Sequence, residues 1–217
     1  MTNVFRSRLL LALGAILIWV CPLTLGAGGI PKKDVWYSQH YIIMQDFERK
    51  LYRDLTEEGR KAFQQLFWEA RTPEARAKFK TRLEFVTKNY WQENKQQPWN
   101  TDRARTYLLN GSPASIDYDQ NISFQTMVLP GQVADTTSRS NEDIGANRAE
   151  VWTYPYDQYF IKYTFVYVNP NQWRVTGSAQ SGGRYLGEFE AFNKTVTFGI
   201  VEVETYKQDL SVLAKKK

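Results

Sequence analysis

Asp102, Arg103 and Arg105 stand within four residues of one another, with Trp99 just ahead of them. A carboxylate, two guanidinium groups and an indole at this spacing suit recognition, because a planar guanidinium on a rigid element makes two parallel hydrogen bonds to an acid. On a strand, alternation would place Arg103 and Arg105 on one side and Ala104 and Thr106 on the other. A structural assignment competes with this: Thr101 and Asp102 bond backbone groups of a turn, and an arginine pairs Asp102 or caps helix carbonyls. Downstream, Trp152 and Tyr154 add amphipathic rings of the kind that hold carbohydrate or peptide. The candidate binding residues are therefore Trp99, Asp102, Arg103, Arg105, Trp152 and Tyr154.

Catalytic chemistry is sparsely provided for. His40 is the only histidine of the 217 residues and Cys21 the only cysteine, so neither a histidine cluster for zinc nor a Cys/His dyad can form. No Gly-x-Ser-x-Gly elbow supports a serine triad, and His40, placed ahead of an apolar helix, reads as a packed or capping residue. No catalytic residue, metal ligand or cofactor is assigned. The surviving alternative is a carboxylate-dependent hydrolase of envelope glycans, using a pair among Asp102, Asp117 and Asp119 with Trp99 and Trp152 as sugar platforms. Gly177, Gly182, Gly183 and Arg184 resemble a phosphate loop only superficially, since the Lys-Ser/Thr pair is absent and no helix is expected after them.

The elements that must position these residues change period along the chain. Phe47 and Leu51 are helix-spaced; Thr56 caps a helix carrying Phe63, Leu66 and Phe67 on one face. Thr72-Pro73-Glu74 reads as cap, first-turn proline and dipole-facing acid, opening a helix through Phe79, Leu83, Val86 and Tyr90. From Arg103 onward, β-branched and aromatic residues predict strands. Ile161, Tyr163, Phe165 and Tyr167 share a face, Asn169-Pro170-Asn171 turns the chain into Trp173-Arg174-Val175, and a last strand is expected from Val196 to Val203 with a bulge at Gly199. Pro130–Asn147 and Gly177–Gly187 are expected to be loops, the second a flexible hairpin connection. The fold expected is α+β, an N-terminal helical segment packed on a C-terminal antiparallel β-sheet. Open edges in the last strands offer β-augmentation to a partner segment.

Residues 1–27 read as a signal peptide: Arg6 and Arg8, an apolar run from Leu9 to Val20, then small residues ending at Ala27. An uncleaved anchor is the alternative, because the uncharged span continues to Ile30 and reaches the roughly 20 residues a bilayer needs; Pro22 and the glycines argue against it. Cys21 lacks the small residue before it that lipoprotein processing requires. Cleavage would leave no cysteine, and removing Arg6 and Arg8 would take the net charge from +5 to +3. Lys215, Lys216 and Lys217 account for that remainder, so the charge points to a basic, solvated tail at 207–217 and no nucleic-acid partner is assigned. The remaining boundaries are a helical part at 34–97 and a β-rich part of the same domain at 98–206.

Three runs in order resemble the GWxTD domain family, which is bacterial, exported and without a settled activity. Phe67-Trp68-Glu69-Ala70-Arg71-Thr72-Pro73 is similar to its FW-x-x-RDP element, with Thr72 for Asp. Pro98-Trp99-Asn100-Thr101-Asp102 is similar to the naming motif, with Pro98 for Gly, and Ala104 replaces the Gly of TDRGR. Glu150-Val151-Trp152-Thr153-Tyr154 is similar to its EIW-x-Y strand. The resemblance implies a periplasmic or secreted module. The function expected is non-catalytic binding or assembly in the cell envelope, with a protein partner, possible contact with glycan, and the membrane involved only if the leader is retained.

Overall fold

A computed structural model describes residues 34–119, 148–168, 171–176 and 183–215. The expected leader, the segment Pro130–Asn147, residues Asn169 and Pro170 of the expected turn, and residues 177–182 lie outside the described residues. The chain is α+β. Four helices come first, α1 (Val35–His40), α2 (Asp46–Asp54), α3 (Glu57–Glu69) and α4 (Pro73–Asn89). A 3-10 turn at Pro98–Asn100 leads into α5 (Asp102–Asn110). Strands β1 (Ser115–Asp119), β2 (Ala149–Tyr156), β3 (Tyr159–Val168) and β4 (Gln172–Thr176) pair antiparallel in that order, and α6 (Gly183–Phe198) and α7 (Val203–Lys215) follow. No helix among the described residues is long and apolar enough to cross a membrane.

The helix starts are set locally. The side chains of Thr56, Thr72 and Thr101 accept the N–H of Gly59, Ala75 and Ala104, each three residues on, satisfying donors that a helix start leaves open. Apolar faces then close on one core. Tyr52, Phe63, Phe67 and Phe79 from the helices meet Trp152, Ile161 and Phe165 from the sheet, with Phe189, Phe198, Tyr206 and Leu210 from α6 and α7. Each such side chain contributes roughly 1.5–3 kcal/mol through removal from water.

Four expectations are corrected. Residues 102–110 are helical, not a strand: the Thr101 cap nucleates the turn, and Ala104 and Leu108, four apart, are both buried, the spacing of a helix face. No strand spans 196–203. Phe198 ends α6, and its β-branched Thr195, Val196 and Thr197 are carried in helix by the packing of Phe189 and Phe198, which outweighs propensity differences of under 1 kcal/mol per residue. Gly199 is thus a helix stop and not a bulge; a Cβ there would lie 2.2 Å from the Thr195 carbonyl oxygen. Finally, 207–215 is no frayed tail, because α7 runs to Lys215 with Tyr206 and Leu210 buried. Gly183 begins a helix as well, so the hairpin connection expected there does not extend past it.

Gly111 ends α5 at φ 82° and ψ −157°, and an added Cβ would lie 2.8 Å from Nη2 of Arg82. That backbone region is essentially reserved for glycine. Arg82 also donates to the Leu108 and Leu109 carbonyls at 3.0 and 2.7 Å, so moving it would uncap α5. Gly111→Ala is expected to cost about 1–3 kcal/mol in urea-melt stability.

Candidate functional site

Residues around the Pro98–Asn100 turn divide into an internal cluster and an open cleft. Arg103 and Arg105 are two positions apart on α5, about 200° around its axis, so they point to different sides. Arg103 turns inward. Its Nε donates to Glu93 Oε1 at 2.9 Å and its Nη1 to Glu150 Oε1 at 2.8 Å, while Trp152 Nε1 donates to Glu150 Oε2 at 3.1 Å. The guanidinium also lies 4.9 Å from the ring centre of Tyr90 and 4.5 Å from that of Trp173, a cation–π arrangement on two rings. Burial pushes the Glu93 carboxyl up from its ordinary range, opposed by the Arg103 charge.

Arg105 turns outward. Its guanidinium is exposed, bonded to the Asn100 side chain, and lines a cleft of about 240 Å³ with Tyr37, Gln39, Tyr41 and Trp99. Trp99 is half-buried, with its indole N–H held by Ser38 Oγ at 2.9 Å. Arg49 adds positive charge beside the cleft, stacked 4.5 Å over the Tyr41 ring.

Asp102 belongs to neither arginine. Its Oδ2 accepts the N–H of Val175 at 3.0 Å, which caps the outer edge of β4 and leaves that edge less open to augmentation than the sequence suggested. Trp152 and Tyr154 are core residues, 1% and 3% exposed. They form no binding surface. Tyr154 instead donates its hydroxyl to the Gly111 carbonyl at 2.9 Å. Of the six candidate residues, the fold brings Trp99 and Arg105 to one open cleft, sets Asp102 and Arg103 beneath the turn, and buries the other two.

Asp102 is not brought together with the acids of β1. Asp102 lies beyond β4, while Asp117 and Asp119 are on β1 at the opposite edge of the four-stranded sheet. Three strand spacings put Asp102 on the order of 14 Å from Asp117, against the roughly 5–9.5 Å that glycosidase mechanisms use. Trp152, buried, is no sugar platform. Among the described residues no group of three or more His, Cys, Asp or Glu is placed to hold a metal ion.

His40 is a packed histidine. It is 5% exposed, stacked 4.1 Å from Trp36 and enclosed by Phe67, Trp68 and Phe79, with Nδ1 2.7 Å from the Trp36 carbonyl. Burial lowers its pKa to about 3. The unfolded chain therefore takes up a proton below about pH 6.5 that the folded chain refuses, and stability falls as pH falls through this window. Between pH 6.5 and 5 the loss is roughly 2 kcal/mol from this group. Urea melts across that interval should show a slope that His40→Gln reduces.

Sequence reasoning missed a second internal pair. Glu48 and Arg71 have fully buried side chains, joined by Nη2 at 2.9 Å to both carboxylate oxygens. Arg71 further donates to the Phe67 and Phe198 carbonyls at 2.7 and 2.9 Å, and Tyr206 donates to Glu48 Oε1 at 2.9 Å. The signal was there in part, since Arg71 lies in the FW-x-x-R run, but nothing local identifies a partner 23 positions upstream. Glu93 was missed for the same reason.

Compared with known proteins, the chain matches no family model, no curated protein and no solved structure.

Proposed function

We propose that the chain is an exported, non-catalytic binding module of the bacterial cell envelope, a divergent GWxTD-like protein that holds an acidic segment of a protein partner in the Trp99–Arg105 cleft. The observation that carries this reading is the cleft itself: an exposed guanidinium, pre-oriented by Asn100, opens beside three aromatic rings in a concavity of about 240 Å³. A fixed guanidinium supplies paired donors for a carboxylate, and half-exposed Tyr and Trp rings supply contact area at small entropic cost. Family membership draws its support from the three motif-like runs. Arg71, Asp102, Arg103, Glu150 and Trp152 tie separate elements together through hydrogen bonds or ring contacts, and Thr101 caps α5, as shared motif residues with a structural role would. The Arg6–Arg8 and Leu9–Val20 pattern supports export.

The test is crosslinking in intact cells of the native host through a C-terminal tag, after separating periplasm from membranes. A stoichiometric envelope protein should be recovered, and Arg105→Lys should reduce its capture about tenfold, the equivalent of one lost charge-assisted hydrogen bond, with an unchanged thermal melt. Recovery of the chain alone, or quenching of Trp99 by glycans in place of a protein, would overturn the assignment.

A further inference from the structure

On the other side of the Pro98–Asn100 turn lies a cavity of about 80 Å³, bounded by Glu93, Asn94, Asn100, Thr101, Asp102, Gln172, Trp173 and Arg174. Glu93 supplies its one unexplained feature. Its side chain is 4% exposed, both Arg103 bonds fall on Oε1, and Oε2 is the only buried side-chain oxygen or nitrogen among the described residues without a hydrogen-bond partner. The Thr101 hydroxyl, which accepts the Ala104 N–H, is close enough for its own O–H to favour the Glu93 carboxylate, but it makes no bond of acceptable geometry to Oε2. Buried carboxylate oxygens left in this state are costly.

The surrounding charges also leave a remainder. Arg103 is shared by Glu93 and Glu150, and the guanidinium of Arg174 is exposed and bonded to Gln172 Oε1 at 3.2 Å. Two acids against one base leave one negative charge beneath the turn. The other polar groups of the cavity wall are largely committed: Asn94 Oδ1 accepts the Gln96 and Gln97 amides, and Asn100 spans Gln97 and Arg105. What remains is an acceptor at Glu93 Oε2, in a wall shared with the Asp102 carboxylate, whose Oδ2 holds Val175.

We propose that this cavity binds a primary alkylammonium group, with Glu93 and Asp102 as its acceptors and Trp173 as one wall. An ammonium is a compact cation with three donors, which matches two carboxylate oxygens and a volume suited to a few atoms. A divalent metal fits poorly, because only two carboxylates line the space and hard cations take six or more oxygens. The site does not depend on the Arg105 cleft, and its ligand has the opposite charge.

Two-dimensional NMR of the isolated, isotope-labelled chain tests it, following the Val175 amide and the Trp173 indole. n-Butylammonium and Nα-acetyl-lysine amide should shift both signals saturably, the tighter of the two telling a free amine from a protein side chain. Tetramethylammonium, a cation without N–H donors, should not. Glu93→Gln, which keeps the shape but removes the charge, should weaken binding at least tenfold. Asp102→Asn, which retains an acceptor for Val175, should weaken it several-fold and decides the matter should the first variant fold poorly. Equal shifts from tetramethylammonium, or full affinity in Asp102→Asn, would overturn the site. Neither result bears on the capture of an acidic partner by Arg105, which is read separately.

Discussion

Arg71→Ala is expected to cost about 3–5 kcal/mol of folding stability, the range for stripping one partner from a buried ion pair. A domain of this size holds only about 5–15 kcal/mol in total, so the variant should melt at far lower urea or fail to accumulate folded. The cause is specific. Arg71 closes four hydrogen bonds, two to Glu48 and one each to the Phe67 and Phe198 carbonyls, and its guanidinium lies 3.6 Å over the Phe67 ring. Its loss would leave the Glu48 carboxylate buried with only Tyr206 and the Gln45 N–H as donors. Because those contacts join α2, the end of α3, the end of α6 and the start of α7, one substitution loosens four helices at once. Arg71→Lys should recover little, since an ammonium cannot span four acceptors arranged for a planar fork. The double variant Glu48→Leu with Arg71→Met should recover part of the loss by removing the stranded charge, though not the two unpaired carbonyls. A loss below 1 kcal/mol for Arg71→Ala would mean that the pair is not desolvated as described.

Trp152→Ala is expected to be comparably damaging, at about 3–5 kcal/mol for truncating a large buried ring. Trp152 lies between Phe165, at 4.8 Å between ring centres, and Tyr90 and Tyr107 at 6.4 and 6.5 Å, and its indole N–H holds one oxygen of Glu150. The substitution therefore opens a cavity and frees a carboxylate that Arg103 shares. Trp99→Ala makes the contrast: its ring is half-exposed at the cleft and only partly packed against the core, so the melt should shift by about 1–2 kcal/mol, from one hydrogen bond and part of an indole's burial, while partner capture falls. Denaturation and capture measured on both variants separate the two tryptophans. Equal stability losses would return Trp99 to the core.

Where local chemistry decides, the sequence was readable. Thr56 and Thr72 announce α3 and α4 by cap and spacing, and the alternation of Ile161, Tyr163 and Phe165 announces β3. The same cap logic applied to Thr101 would have announced α5, but the Tyr107-Leu108-Leu109 run drew a strand reading from a segment whose buried positions, Ala104 and Leu108, keep helical spacing. The α6 error has another origin. A stretch containing Thr195, Val196 and Thr197 prefers extended backbone when considered alone, and only the burial of Phe189 and Phe198 against the core reverses that preference.

The sequence by itself determined that no cysteine–histidine or histidine-rich metal chemistry is available, that helices open the chain ahead of an antiparallel sheet, and which residues around Trp99 carry polar groups. Those conclusions depend on residue type and on spacings within one turn or one strand. Tertiary structure alone decided what each polar group does. Arg103 could be assigned to Glu93 and Glu150, Arg71 to Glu48, and Asp102 to the edge of β4 only once partners 10, 47, 23 and 73 positions away were brought together. It also decided that Arg105 faces an open cleft while Trp152 is sealed beneath two tyrosines. Charge pairing and burial are set by distances through space, and a chain's sequence records only distances along itself.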